Sequence, residues 1–322
     1  MPFSLNFTSK TTDLNIYGLL QMIFRKTNLP FEIKKGERIY TLTHKIKGKG
    51  AFGIDLKKVT DANDESYKLI RLNAYGIGKG EKKRIKRVLK NIHSFHGKDS
   101  IPKLIYSDDC TIVLEWIEGD ILTGDTLNKN NALDLARFNA ENYINIKKVP
   151  VERISGRIVK QINELAPHNF INSDTQHILL NFLNSQSIHK ITHYYVSLCF
   201  ADTATKNYIK NNDRLVYFDV FGLDRRSISR VYTKQLTQIP KEFRQEYSKA
   251  FKESLPVNIS HLIPIAYVNY LVTRIYSNIN KSNFVIRKKR RKKAELAAED
   301  LREFLFAIKN GYDPEKWLIE QA

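Results

Sequence analysis

The spacing of apolar residues changes once along the chain, and that change divides it. Over residues 39–116 the pattern is that of strands: 39–46, 54–59, 67–72, 103–106 and 111–116, with polar turns at 61–65 and 107–109. Only 81–93 departs from it, with Ile85, Val88, Leu89 and Ile92 at helical spacing. From Leu133 onward helical periodicity takes over, at 133–146, 176–191, 241–252 and 260–279. A short β-rich island at 195–199, 208–209 and 215–218 interrupts it. Residues 1–38 read as a helix around 13–27 and a Pro-containing connection. The expected fold class is therefore α+β. It has an N-terminal extension (1–38), a unit with an antiparallel five-stranded sheet and one helix (39–117), and a mainly helical unit (118–322).

Composition excludes several classes. Two cysteines, Cys110 and Cys199, make neither a disulfide framework nor a four-ligand zinc site. Met1 to Lys10 has no basic segment leading into an apolar run, and no stretch approaches a membrane span. A cytoplasmic protein is expected. The formal charge of +19 attracts phosphate-rich or anionic partners and repels cationic small molecules.

Four features carry chemistry. The first is Gly48-Lys49-Gly50-Ala51-Phe52-Gly53, between two predicted strands. Glycines let backbone N–H groups approach phosphate oxygens with no Cβ in the way. A strand on each side suits a hairpin over nucleotide phosphates rather than a dinucleotide fold, which needs strand then helix. Gly48, Gly50, Phe52 and Gly53 are candidate nucleotide contacts. The second is a cation on the third strand. Arg71 is the first choice, because it shares a strand face with Leu69, and Lys68 is the rival. Its candidate partner is Glu81, at the start of the following helix. The third is Asp202-Thr203-Ala204-Thr205-Lys206-Asn207, a D-x-x-x-x-N loop between two short strands. An Asp there can take the proton of an attacking hydroxyl, and the Asn can hold Mg2+. The fourth is Asp219, delivered by the apolar run 215–218 as a hard oxygen ligand for the same metal.

In order and spacing these features resemble the aminoglycoside phosphotransferase and choline kinase branch of the protein-kinase-like superfamily, and the bacterial lipopolysaccharide-core sugar kinases. The resemblance runs from about Ile39 to Gly222. Ile101 to Tyr106 resembles the approach to the family's fifth strand, and Ile112 to Gly119 its hinge, where backbone groups of Glu115 to Ile117 would contact adenine. Leu198 to Ile209 resembles the family's catalytic loop, and Tyr217 to Asp219 its metal-binding strand end. The resemblance implies a bilobal kinase-like fold, ATP and Mg2+ as cofactors, Asp202 as catalytic residue, and Asn207 and Asp219 as metal ligands. Three departures stand out: Phe200 for the loop histidine, Ala201 for the glycine, and Phe221 where a further carboxylate is common.

No A-P-E element follows Asp219, which disfavours a protein substrate. The positive charge disfavours cationic acceptors. The expected reaction moves the ATP γ-phosphate to a hydroxyl of a small molecule or glycan, best an anionic sugar such as the lipopolysaccharide inner core. The basic segment 287–293 and the basic helix 82–90 are candidates for peripheral contact with an anionic membrane surface. A nucleic-acid-binding protein, on charge alone, and a catalytically inactive pseudokinase scaffold stay open as alternatives.

Overall fold

The structure, a computed structural model, describes residues 31–35, 38–48, 54–60, 65–72, 82–95, 98–123, 126–168, 170–212, 214–280 and 287–321. The helix expected at 13–27 lies outside them. The chain divides into two compact units, Met1–Glu118 and Gly119–Ala322.

The first unit is built from β1 (Phe31–Lys35), β2 (Arg38–Gly48), β3 (Ile54–Thr60), β4 (Ser66–Leu72), α1 (Lys82–Ser94), β5 (Leu104–Ser107) and β6 (Thr111–Glu115). The strands form one six-stranded sheet in the order β1-β2-β3-β4-β6-β5, with every pair antiparallel. That is one strand more than the sequence suggested. Phe31–Lys35 lies within the stretch read as a connection, and it pairs with the start of β2, Phe31 opposite Leu42 and Lys35 opposite Arg38. Alternation decides which side chains pack together. Tyr67 and Leu69 on β4 face Val59 and Val113 in one buried cluster, against which Ile105 and Tyr106 pack. The intervening residues Lys68 and Ile70 point to the other face. Helix α1 buries Ile85, Val88 and Ile92, the stripe that its 3.6-residue period predicts.

The second unit opens at Gly119, whose φ is +145°. A Cβ there would collide with the Lys210 carbonyl, so glycine lets the chain run beside the next hairpin. In order follow β7 (Asp120–Ile121), α2 (Lys129–Glu141), β8 (Ile144–Pro150), α3 (Glu152–Leu165), α4 (Ser173–Leu183), α5 (Gln186–His189), β9 (His193–Phe200), β10 (Tyr208–Asn211), β11 (Arg214–Tyr217), β12 (Leu223–Ser227), α6 (Ile228–Leu236), α7 (Arg244–Ser254), α8 (Ile263–Asn280), α9 (Arg287–Lys309) and α10 (Pro314–Glu320). The strands form two three-stranded sheets, β11-β10-β7 and β12-β9-β8.

Helix α2 ends at Glu141, so Ile144 and Ile146, read as helical, belong to a strand instead. β8 pairs antiparallel with β9. Side chains cap several helices: Asn128, Asn172 and Asp313 accept from the N–H groups of Asn131, Thr175 and Lys316 at 2.9, 2.8 and 2.7 Å. Helix α3 buries Ile154, Ile158, Ile162 and Leu165. Each such side chain contributes roughly 1.5–3 kcal/mol of burial. The basic run 287–293 forms the first turns of α9, continuous with the amphipathic helix expected after it.

Candidate active site on the second unit

β9 is covered on both edges, by β8 and β12, and it ends at Phe200. Two residues later stands Asp202. β11 ends at Tyr217, and two residues later stands Asp219. Between them, Asn207 closes a 3-10 turn (Thr205–Asn207) that leads into β10. The antiparallel β10–β11 hairpin, with Tyr208 opposite Tyr217, thus brings the two aspartates and Asn207 to one end.

Backbone and side-chain bonds knit the three together. The Asn207 side-chain amide donates to the Asp202 carbonyl at 3.0 Å, and the Tyr217 hydroxyl donates to that same oxygen at 3.1 Å. Phe218 N–H donates to the Asn207 carbonyl at 3.0 Å, and Ala201 N–H to the Gly222 carbonyl at 2.8 Å. Asp219 caps the short turn Val220–Gly222, its Oδ1 accepting from Phe221 N–H at 3.3 Å. Gly222 is required where it stands, because a Cβ would strike the Tyr217 hydroxyl and lie 3.3 Å from Asp202 Cβ.

Phe200 forms the floor. It is 2% exposed and stacks on Tyr217 at 4.5 Å and on Phe138 at 5.3 Å, with Tyr208 edge-on at 6.3 Å. The phenylalanine that departs from the family pattern is therefore a packed core residue beneath the loop. Tyr208 donates to the Asn139 side chain on α2 at 2.9 Å.

Sequence reasoning missed one charged neighbour. Lys234, on α6, donates to Asp202 Oδ1 at 3.1 Å and to the Ala201 carbonyl at 3.5 Å. The pair is part-exposed, with side-chain exposures of 27% for Lys234 and 51% for Asp202. Partial burial pushes the Asp202 carboxyl up. The Lys234 charge and hydrogen bond, the Asn207 amide and the Ala204 backbone outweigh it and hold the group below the usual carboxylate range. Asp202 is therefore ionised at neutral pH, as a proton acceptor must be. No local motif announces Lys234, which lies 32 residues from its partner.

The donors suit a hard cation. Asn207 gives its amide nitrogen to the Asp202 carbonyl, so its oxygen could hold a cation, and Asp219 could add a carboxylate. Mg2+ is usually held by one or two such groups together with substrate phosphates and water. Among the described residues no group of three or more His, Cys, Asp or Glu could hold a metal without such help.

On the first unit, Glu115 is braced by Lys103: its Oε2 accepts from Lys103 N–H at 3.1 Å, and its N–H donates to the Lys103 carbonyl at 2.9 Å. Lys58 lies 4.6 Å over the Trp116 ring and bonds Glu118 at 2.8 Å, and Ile117 is buried. Lys68 is only 8% exposed. Lys68 alternates with Tyr67 and Leu69 and so lies on the opposite face of β4 from their cluster. Gly48 ends β2. Gly50, Phe52, Gly53 and Glu81, together with the Arg71 side chain, lie outside the described residues.

No protein-family model and no curated protein sequence matches the chain. Solved structures do. A macrolide 2'-phosphotransferase from Brachybacterium faecium is similar with a TM-score of 0.59 at 11% identity, covering 87% of this chain and 97% of its own. A choline kinase from Streptococcus pneumoniae gives 0.55 at 13% identity, over 89% and 99% of the two chains. The GDP complex of aminoglycoside 2'-phosphotransferase-IIIa gives 0.56 at 12% identity, over 90% and 99%. The fold is thus the protein-kinase-like fold, with a sheet-based first unit and a mostly helical second one. No described helix is long and apolar enough to cross a membrane.

Proposed function

We propose that the protein is a phosphotransferase that moves the γ-phosphate of ATP to a hydroxyl of a small molecule or glycan. The observation that carries this reading is the hairpin end, where Asp202, Asn207 and Asp219 are tied together and Lys234 keeps Asp202 ionised. Asp202 accepts a hydrogen bond from the acceptor hydroxyl and takes its proton as the oxygen–phosphorus bond forms and the bond to the leaving ADP oxygen breaks. A carboxylate with a low pKa is a weak base, which suits a loose transition state in which the proton leaves late. Mg2+, when bound, would neutralise phosphate charge, and Asn207 and Asp219 are the residues that would hold it. Lys234, beside the proton acceptor, is placed to counter charge on the transferred group.

On the first unit the nucleotide contacts are the glycine-rich segment Gly48 to Gly53, the backbone of Glu115 to Ile117, and a strand cation. Lys68 is the better cation. The face of β4 that carries Tyr67 and Leu69 is filled by an apolar cluster, whereas Lys68 stands on the other face. The acceptor class that the +19 charge supports is an anionic sugar, such as a phosphorylated or carboxylated glycan of the lipopolysaccharide inner core type.

Asp202→Ala tests the reading. Phosphate transfer is expected to fall about 100- to 10,000-fold while Mg·ATP still binds. Transfer at near wild-type rate would remove Asp202 from the mechanism.

A further inference from the structure

One ridge of α6 runs along the loop that follows β9. Gln238, just past the helix end, accepts from Thr203 Oγ1 at 3.2 Å, and Lys234, one turn earlier, reaches Asp202 at 3.1 Å. Arg230 stands one turn earlier again, about 6 Å back along the axis at 1.5 Å per residue. Its neighbours are unusual for a partly buried cation. Arg157 on α3 and Arg226 on β12, both exposed, lie close enough for their charges to act on it. Helix α3 is held there by α8, where Thr273 donates to Gln161, one turn after Arg157, at 3.3 Å.

Burial first, and then the like charges of Arg157 and Arg226, push the Arg230 guanidinium down to about 10. Arg226 has an acidic partner, Asp224, at 2.7 Å. Among the described residues no carboxylate pairs with Arg230 or Arg157. Enclosing a cation beside two others costs folding free energy unless an anion compensates it. A guanidinium fork matches the oxygens of a phosphate or a carboxylate, which it bonds in pairs.

We propose that Arg230, with Arg157 and Arg226, binds an anionic group of the acceptor, a phosphate monoester or a carboxylate. This rests on the phosphotransferase reading. The hydroxyl to be phosphorylated lies at Asp202, and the anion lies about one helical turn further along α6. One sugar ring with its substituents spans that gap. The site selects acceptors carrying a negative group near the reacting hydroxyl and leaves a neutral sugar without its anchor.

The test reads binding rather than turnover. Wild type, Arg230→Met and Arg157→Gln are titrated in Mg2+-free buffer with inorganic phosphate, glucose 6-phosphate, glucuronate and neutral glucose, and melting temperature is followed. At least one anion is expected to raise the wild-type melting temperature while glucose does not. Whether glucose 6-phosphate or glucuronate acts tells a phosphate site from a carboxylate site. Arg230→Met is expected to melt at or above wild type without ligand, since an uncompensated charge is gone, and to bind the anion about tenfold more weakly or worse. Arg157→Gln, at an exposed position, weakens binding several-fold, and it carries the test if Arg230→Met does not fold.

No anion response in the wild type overturns the proposal. So does a response that is equal in wild type and both variants. Titration with Mg·ATP separates this from the wider reading. A nucleotide response that survives in Arg230→Met while the anion response is lost supports both. An anion response dependent on Arg230, in a protein that ignores Mg·ATP, supports the anion site and contradicts the phosphotransferase.

Discussion

Lys68 stands inside a strand that is hydrogen-bonded on both edges, whereas Asp202 stands two residues beyond the end of one. β4 pairs with β3 and β6 over its length, so the ladder fixes the Lys68 backbone and alternation fixes the direction of its side chain. No ladder reaches Asp202. Its carbonyl is held by Asn207 and Tyr217, its carboxylate by Lys234, and the loop beneath it by the stacked Phe200 and Tyr217. A charged group within a sheet is positioned by backbone regularity. A charged group at a strand end is positioned by side chains from several elements, which leaves it open to a substrate and makes its geometry sensitive to single changes.

The largest expected break in that contrast is at Phe200. Phe200→Ala removes a fully packed ring and should cost about 3 kcal/mol of unfolding free energy or more, read by chemical denaturation. The loop it supports should lose activity with it. An effect below 1 kcal/mol would mean that the loop does not rest on the aromatic floor.

Next in size is the strand cation. Lys68→Met is expected to weaken Mg·ATP binding about tenfold, and Arg71→Met to weaken it less, both measured by calorimetric titration. The reverse order would return the role to Arg71.

The smallest expected effect sharpens the strand-end side. Lys234 holds the Asp202 carboxyl low, so Lys234→Met lets it rise. The acid limb of the pH profile of kcat/KM, where Asp202 becomes protonated, should move to higher pH, with a loss of about tenfold or less at neutral pH. The stability sign agrees. A depressed carboxyl contributes stability above its unfolded value and loses it as pH falls through the folded value, so the variant should lose a little stability at neutral pH and none in strong acid. An unmoved acid limb would separate Lys234 from the titration.

Legibility in the sequence follows the same division. The strands of the first unit from β2 onward were legible as short alternating or apolar runs, and Val59, Tyr67, Leu69 and Val113 from β3, β4 and β6 share one cluster. β1 escaped notice because Phe31–Lys35 offers only two apolar residues before Lys34 and Lys35. In the second unit, the D-x-x-x-x-N spacing and the strand-end Asp219 were visible because hairpin geometry is local. Ile144 and Ile146 were absorbed into a helix because their spacing also continued the preceding helical stripe. Helices α3 and α6 were overlooked although their signals were present: Ile154, Ile158 and Ile162 recur every four residues, and Ser227 accepts from Arg230 N–H at 3.5 Å as an N-cap. Lys234 and the Arg230 cluster carry no such signal. They meet Asp202 and one another only through the packing of α6, β12, α3 and α8, which no spacing along the chain encodes.

The central claim is that the hairpin end holds a metal-bound nucleotide. The most direct measurement is a thermal-shift titration of wild type and Asp219→Ala with ATP, with and without Mg2+. A rise in melting temperature with ATP that needs Mg2+, and that Asp219→Ala abolishes, is the predicted result. A wild type that ATP does not stabilise, or an Asp219→Ala variant stabilised as strongly as wild type, would contradict it.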